Sequence, residues 1–87
     1  MYYIYILKLN NNQLYTGFTS DLKRRIKEHK SGIVKSTVKR LPIKLIHFET
    51  YLLKSDAERR ERFLKTTEGE YFLRQQIKDL LTKLAII

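Results

Sequence analysis

The stretch that decides the fold is Tyr2-Tyr3-Ile4-Tyr5-Ile6-Leu7-Lys8-Leu9, then Asn10-Asn11-Asn12, then Gln13-Leu14-Tyr15-Thr16-Gly17-Phe18-Thr19. Aromatic and β-branched side chains dominate the first and third runs, as is typical of strands. Asparagine tolerates the left-handed backbone of a tight turn and forms local hydrogen bonds. The three runs therefore predict an antiparallel β-hairpin.

Alternation along the first strand predicts that both of its faces are at least partly covered. Tyr3, Tyr5 and Leu7 share one face, while Ile4 and Ile6 share the other. In the second strand, Gly17 indicates a bulge or a place where another group approaches the backbone closely.

Outward from the hairpin, capping residues and hydrophobic periodicity predict one further strand and three helices. The first predicted helix is capped by Thr19-Ser20-Asp21 and ends at about Lys30. A basic loop over residues 31–42 and a strand over residues 43–52 follow. The second predicted helix is opened by Ser55-Asp56-Ala57-Glu58 and ends at Lys65, and the third is opened by Thr67-Glu68-Gly69-Glu70 and runs to Leu84. The sequence therefore predicts one α+β domain over residues 1–87, with a three-stranded antiparallel sheet flanked by helices in the order ββαβαα. The apolar residues 84–87 at its C-terminus either complete the core or meet a second copy.

Composition excludes several classes of function. The 87 residues contain no cysteine, which excludes a disulfide scaffold, a thiolate zinc site and a cysteine nucleophile. The two histidines are too few for an all-histidine metal site. No apolar run is long enough to span a bilayer, and the N-terminus does not resemble a signal peptide, so we expect a cytoplasmic protein. The net charge of +9 favours a polyanionic partner, with nucleic acid first and an anionic membrane a weak alternative.

Three sets of side chains could carry chemistry, and each also has an ordinary structural explanation. Tyr5 and Tyr15 lie close together across the predicted hairpin, as a phenol pair at a reactive centre or as simple aromatic packing. Arg25 and His29 share a helix face, where the guanidinium is placed to bind a phosphate or merely lies along the surface. Glu61 lies at the border of an apolar helix face, as a ligand of one Mg²⁺ or as a surface partner of Lys65.

Taken together, these residues form an ordered pattern. The order Tyr3-Ile4-Tyr5, Tyr15-Thr16-Gly17, Asp21-Leu22-Lys23-Arg24-Arg25 and Arg60-Glu61 resembles the GIY-YIG nuclease family, in particular its small stand-alone members. The likeness covers about Tyr2 to Leu73. Two positions depart from the name-giving motifs, because Tyr3 stands in place of glycine and Thr16 in place of isoleucine. The polar asparagine that some members carry on the last helix is also absent.

The resemblance implies a metal-dependent endonuclease that hydrolyses phosphodiester bonds in DNA, with a setting in repair or recombination. It implies that Arg25 neutralises the scissile phosphate, that Tyr5 or Tyr15 orients and deprotonates the attacking water, and that His29 supports a phosphate or a phenol. Glu61 would hold Mg²⁺, with Mn²⁺ as a substitute. We expect Lys35, Lys39 and Arg40 in the basic loop to contact outer phosphates.

A second interpretation is a catalytically degenerate DNA-binding module that acts with a partner. The basic charge fits this interpretation equally well, and a protein partner would supply the targeting that 87 residues leave little room for. Retention of an acidic residue together with the tyrosines and Arg25 favours catalysis, because DNA binding alone does not need a carboxylate facing phosphate.

Overall fold

The structure, a computed structural model, describes residues 1–86; Ile87 lies outside the described residues. Its elements are β1 (Tyr2–Lys8), β2 (Leu14–Thr19), α1 (Leu22–Lys30), a short 3-10 turn (Val38–Arg40), β3 (Lys44–Tyr51), α2 (Lys54–Leu64), α3 (Thr67–Gln76) and α4 (Lys78–Lys83). The strands form an antiparallel sheet in the order β2-β1-β3. The predicted α+β class, the three-stranded sheet and the ββαβαα order are confirmed, with the last predicted helix divided into α3 and α4.

The asparagine turn closes the hairpin as predicted. Asn12 has a φ of 67°, in the left-handed region that asparagine tolerates better than most residues. The Leu9 N–H donates to the Gln13 carbonyl at 2.9 Å, so the turn is fixed by a backbone hydrogen bond. This turn sets the β1–β2 register, in which Tyr5 lies opposite Gly17 and Leu7 opposite Tyr15.

The sheet separates two hydrophobic clusters, because alternate side chains of β1 point to opposite faces. Ile4 and Ile6 join the larger cluster, which is covered by α2, α3 and α4. Tyr5 and Leu7 join the smaller cluster, together with Ile26 of α1. Both predicted faces of β1 are thus confirmed. Ile86 is buried in the larger cluster, so this part of the C-terminus completes the core.

Two details of the helices differ from the sequence predictions. The helix expected to be capped at Ser55 begins at Lys54, because the Ala57 N–H already bonds the Leu53 carbonyl; Leu53 is the N-cap residue and offers no side-chain bond. The long final helix is interrupted at Ile77, whose φ of −110° and ψ of 29° are not helical. None of the helices within residues 1–86 is long and apolar enough to cross a membrane.

A partly buried carboxylate ties three elements together on the α2 side of the sheet. Glu49 of β3 accepts two hydrogen bonds from Arg60 of α2, at 2.9 and 3.1 Å. Tyr51 donates to the same carboxylate at 2.9 Å, and His47 Nε2 lies 3.1 Å from it. Arg60 also donates to Gln76 of α3 at 3.1 Å. This Glu49–Arg60 cluster fixes α2 against the sheet at the residue next to Glu61.

Burial alone would raise the pKa of the Glu49 carboxyl, but the hydrogen bonds from Arg60, His47 and Tyr51 outweigh burial and lower it. Because the pKa of Glu49 is lower in the folded protein, its ionised carboxylate stabilises the fold at pH values above about 4.3, the ordinary pKa of a glutamate. This contribution to stability is lost as the pH falls through the lowered pKa.

We predict that Glu49→Gln lowers the free energy of unfolding by about 2 kcal/mol at pH 7, because a charged hydrogen-bonded pair is broken and Arg60 loses its partner. The wild-type advantage should shrink as the pH falls below about 4.3. Urea denaturation of both proteins from pH 7 to pH 3 measures this difference. Glu70→Gln, which removes the exposed pair with Arg74, is the control and should cost about 0.5 kcal/mol or less. A Glu49→Gln effect that does not change with pH would contradict the assignment.

Candidate active site

Three aromatic rings meet on the α1 side of the sheet. The ring centroids of Tyr5 and Tyr15 are 6.4 Å apart, and His29 lies 5.5 Å from Tyr5 and 5.4 Å from Tyr15. The hairpin places the tyrosines diagonally on neighbouring strands, and α1 brings His29 down onto them. The predicted proximity of Tyr5 and Tyr15 is confirmed.

The Tyr5 hydroxyl is the junction of a buried hydrogen-bond network. It lies 2.9 Å from His29 Nε2, and Arg25 Nε donates to it at 3.3 Å. On the other side of the imidazole, His29 Nδ1 lies 2.7 Å from Thr37 Oγ1. Tyr5, His29 and Thr37 are almost completely buried. The network therefore joins β1, α1 and the basic loop through side chains alone.

Burial controls the protonation of this network. It raises the pKa of Tyr5 by more than the hydrogen bond from Arg25 lowers it, so Tyr5 is a neutral phenol at pH 7. Burial, followed by the positive charge of Arg25, lowers the pKa of His29, so the imidazole is neutral as well. A neutral imidazole has one donor and one acceptor nitrogen, so His29 donates one of its two bonds and accepts the other.

Arg25 is held at the edge of the network but is not buried in it. Its Nη1 donates to Glu28 Oε1 at 3.1 Å, while Nε donates to Tyr5. The third guanidinium nitrogen, Nη2, takes part in neither bond. About a third of the Arg25 side chain is exposed, so a phosphate can approach a guanidinium whose orientation is already fixed.

Gly17 gives the Tyr5 ring its space. A Cβ atom at position 17 would overlap the ring and hydroxyl of Tyr5, which lies opposite it in the β1–β2 ladder. The close approach that the sequence predicted for Gly17 is therefore confirmed, and the approaching group is the tyrosine at the centre of the network.

Tyr15 differs from Tyr5 in being partly exposed. Its hydroxyl accepts a hydrogen bond from Ser36 at 3.1 Å, at the surface of the molecule. Ser36 lies between Lys35 and Thr37, so the loop that holds His29 also reaches Tyr15. The three cations predicted to contact phosphate are exposed along this loop and the turn that follows it, at Lys35, Lys39 and Arg40.

Glu61 lies on α2 and makes none of the contacts of the network. Its carboxylate pairs with Lys65 at 3.1 Å and is about a quarter exposed, so the surface partnership considered from the sequence is present. Its negative charge is the weakest of the influences on the pKa of Tyr5, which it raises. Within residues 1–86, no three histidine or acidic side chains form a metal-binding cluster.

The structure thus brings four of the five side chains predicted to be catalytic into one network or ring cluster and leaves Glu61 outside it. Sequence reasoning missed Thr37, Ser36 and Glu28. The spacing of Arg25 and Glu28, one helical turn apart, was a signal for their pairing. Thr37 and Ser36 lie in a loop without periodicity, so nothing local marked them.

Known proteins are similar to this chain in sequence and in fold. Residues 1–75 match the family model described as the GIY-YIG catalytic domain. The chain is 46% identical to UPF0213 protein CPE1444 of Clostridium perfringens over 66 residues, which are 75% of this chain and 71% of that protein. It is 41% identical to UPF0213 protein HQ_3675A of Haloquadratum walsbyi over 70 residues, 79% of each chain. The solution NMR structure of UPF0213 protein BH0048 from Bacillus halodurans aligns over all of both chains, with a TM-score of 0.59 and 33% identity.

We predict that Gly17→Ala lowers the free energy of unfolding by about 1–3 kcal/mol, the usual cost of overpacking a core. The added methyl group displaces the Tyr5 ring, which two hydrogen bonds hold in place. Chemical denaturation measures the loss, and the side-chain NMR signals of Tyr5 and His29 should shift with it. An unchanged denaturation midpoint with unchanged NMR signals would contradict the steric role of Gly17.

Proposed function

The chain belongs to the GIY-YIG family, and on this premise we propose that it is a metal-dependent endonuclease that hydrolyses phosphodiester bonds in DNA. The observation that carries the proposal is the buried network in which Tyr5, itself bonded to His29, holds the partly exposed guanidinium of Arg25. The repair or recombination of DNA in the cytoplasm is the setting that we propose for this activity.

Arg25 is the residue that we assign to the scissile phosphate. A guanidinium can make two parallel hydrogen bonds to phosphate oxygens, and a fixed side chain loses little entropy when it does so. The bonds to Tyr5 and Glu28 fix two of its three nitrogens before substrate arrives. Arg25 thereby neutralises charge that develops on the phosphate during attack.

Of the two tyrosines, we assign the attacking water to Tyr15. The Tyr5 hydroxyl is buried and already shared between His29 and Arg25, and its raised pKa disfavours the phenolate that a general base requires. The Tyr15 hydroxyl is at the surface, beside the same imidazole. Tyr15 Oη therefore orients the water and, after giving its own phenolic proton to solvent, receives the proton of the water as a phenolate. Tyr5, His29 and Thr37 act as positioning residues.

The residues present fit a single magnesium ion. Mg²⁺ keeps several waters and commonly takes only one or two carboxylates together with substrate phosphate oxygens. Glu61 is a lone, partly exposed carboxylate of this kind, and the nearby Glu49–Arg60 cluster holds its helix in place. When bound, Mg²⁺, or Mn²⁺ as a substitute, neutralises charge on the phosphate and the leaving oxygen. Binding there requires Glu61 to exchange its contact with Lys65 for the metal.

The charge of the chain supports DNA as the substrate. The net charge of +9 attracts a polyanion, and the exposed Lys35, Lys39 and Arg40 lie on and beside the loop that reaches Tyr15 and His29. We propose that these three cations contact phosphates outside the cleavage point. A DNA-binding module that does not cut and acts with a partner is the second candidate, and the Glu61–Lys65 pair is the observation that favours it.

We predict that Glu61→Gln lowers the rate of DNA cleavage by about 100-fold or more, because the uncharged amide no longer holds the divalent ion. DNA affinity measured in EDTA should not fall, since the substitution removes a negative charge. Arg25→Ala should also lose cleavage, but it should weaken DNA binding by about tenfold or more, as expected for a charge-assisted contact. Single-turnover cleavage in Mg²⁺ and fluorescence anisotropy in EDTA separate the two effects.

Two substitutions on α2 serve as matched controls. Glu58→Gln makes the same change of charge one turn earlier on the helix and should leave cleavage unchanged. Lys65→Gln removes the ion-pair partner of Glu61 and should leave cleavage intact or increase it. Cleavage by Glu61→Gln at the wild-type rate would rule out this metal site. If the wild type binds DNA but does not cut it, the second candidate function is correct.

A further inference from the structure

A second feature of the α1 side of the sheet is an open groove of about 780 Å³ between α1 and β3, which we call the α1–β3 groove. Its aromatic wall consists of Tyr3 and Phe48, whose ring centroids are 6.5 Å apart, and Ile26 contributes to its lining. Three lysines of α1 also line it, at positions 23, 27 and 30, and the rest of the lining is Ser20, Asp21, Leu22 and Leu45. At 100° per residue, these lysines lie on the flank of α1 opposite to Arg25.

The groove exists because α1 is too small to cover its side of the sheet. One helix of nine residues packs on this face, whereas α2, α3 and α4 share the other. Phe48 lies opposite Tyr5, in the middle of the edge strand β3, and is 50% exposed. This half-open aromatic ring presents a flat π surface to the solvent.

The three groove lysines place like charges along one flank of α1. Lys23 and Lys27 are four residues apart and Lys27 and Lys30 three apart, spacings at which like charges repel. Lys27 and Lys30 lie in the last turn, where the helix dipole favours positive charge, and Asp21 caps the other end. Within residues 1–86, none of the three groove lysines takes part in an ion pair. A row of exposed cations without an internal partner favours an external anion.

We propose that the α1–β3 groove binds a single-stranded segment of DNA. Unpaired bases stack on Phe48 and Tyr3, and the phosphates that follow them lie along Lys23, Lys27 and Lys30. An aromatic wall beside a row of cations is the combination by which proteins bind single strands without sequence preference. A regular duplex does not satisfy it, because the faces of its bases are already stacked on one another.

The proposal rests on the proposed function and specifies its substrate. The groove and Arg25 lie on the two flanks of one short helix, so the favoured substrate has an unpaired segment next to the phosphate that is cut. Charge argues against a second copy of the chain in the groove, since pairing two grooves would oppose six lysines. A polyanion with exposed rings satisfies the apolar contact and the charge together.

The chain contains no tryptophan, so a single introduced indole reports on the groove directly. Phe48→Trp keeps a stacking surface, and Phe72→Trp is a matched control, because Phe72 is 51% exposed and lies on α3 against Phe63, away from the groove. Indole fluorescence, excited at wavelengths that spare tyrosine, is titrated in EDTA with oligothymidylate, oligouridylate and a duplex of equal length. We expect oligothymidylate to quench the Phe48→Trp variant strongly and the Phe72→Trp variant little. The duplex should quench the Phe48→Trp variant less than oligothymidylate does.

Affinity measurements on a second set of variants test the same contacts. Phe48→Ala should weaken the binding of oligothymidylate about fivefold or more, and Phe72→Ala should not. The double variant Lys27→Gln, Lys30→Gln should weaken the binding of oligothymidylate. It should do so more than the control double variant Lys78→Gln, Lys83→Gln, which removes the same charge from α4. Circular dichroism melting confirms that each variant is folded.

The outcomes separate this proposal from the proposed function. If the protein binds and cleaves duplex DNA but the Phe48→Trp variant shows no selective quenching, the groove proposal is wrong and the proposed nuclease function stands. Failure of all DNA to bind would overturn both. Tighter binding of oligouridylate than of oligothymidylate would overturn the assignment to DNA. Quenching of the Phe48→Trp variant by self-association without DNA would assign the groove to a second copy and overturn the proposal.

Discussion

The buried hydroxyl of Tyr5 is the constraint on which the rest of the site depends. It is hydrogen-bonded to His29 and to Arg25 of α1, and the other imidazole nitrogen of His29 is hydrogen-bonded to Thr37 in the basic loop. Removing the Tyr5 hydroxyl, the His29 imidazole or the Thr37 hydroxyl would leave a buried polar atom unsatisfied, so these groups hold one another in a single arrangement. Gly17 makes the arrangement sterically allowed. A chain of 87 residues can thus fix an arginine at its surface without a large core beneath it.

The two faces of the sheet have different tasks. The face under α2, α3 and α4 supplies most of the buried apolar surface, and the Glu49–Arg60 cluster locks α2 in position there. The face under α1 is only partly covered, which leaves room for Tyr15, Arg25 and the α1–β3 groove. Helix α2 links the two tasks, because Arg60 anchors it to the sheet and the next residue, Glu61, is the metal ligand that we propose.

Local pattern was sufficient to predict the hairpin, α1, β3 and the overall order of elements, because alternation and capping are properties of neighbouring residues. The four clustered site residues were predictable from helical spacing, cross-strand proximity and the family resemblance together. The contacts of Thr37 and Ser36 were not predictable, since they depend on how a loop without periodicity folds back onto β1 and β2. The break at Ile77 was missed for a related reason: the apolar spacing continues through it, so α3 and α4 look like one helix in sequence.

We propose a division of labour in which Tyr5 holds the site together and Tyr15 faces the reacting water. The most direct test compares Tyr5→Phe and Tyr15→Phe by single-turnover cleavage and by urea denaturation. Tyr15→Phe should lose cleavage by about 100-fold, the scale of general base catalysis, and change the free energy of unfolding by about 0.5 kcal/mol or less. Tyr5→Phe should lower that free energy by about 1–3 kcal/mol, because His29 loses a buried partner, and should retain more cleavage than Tyr15→Phe. Wild-type cleavage by Tyr15→Phe, together with a fully stable but inactive Tyr5→Phe, would contradict the account.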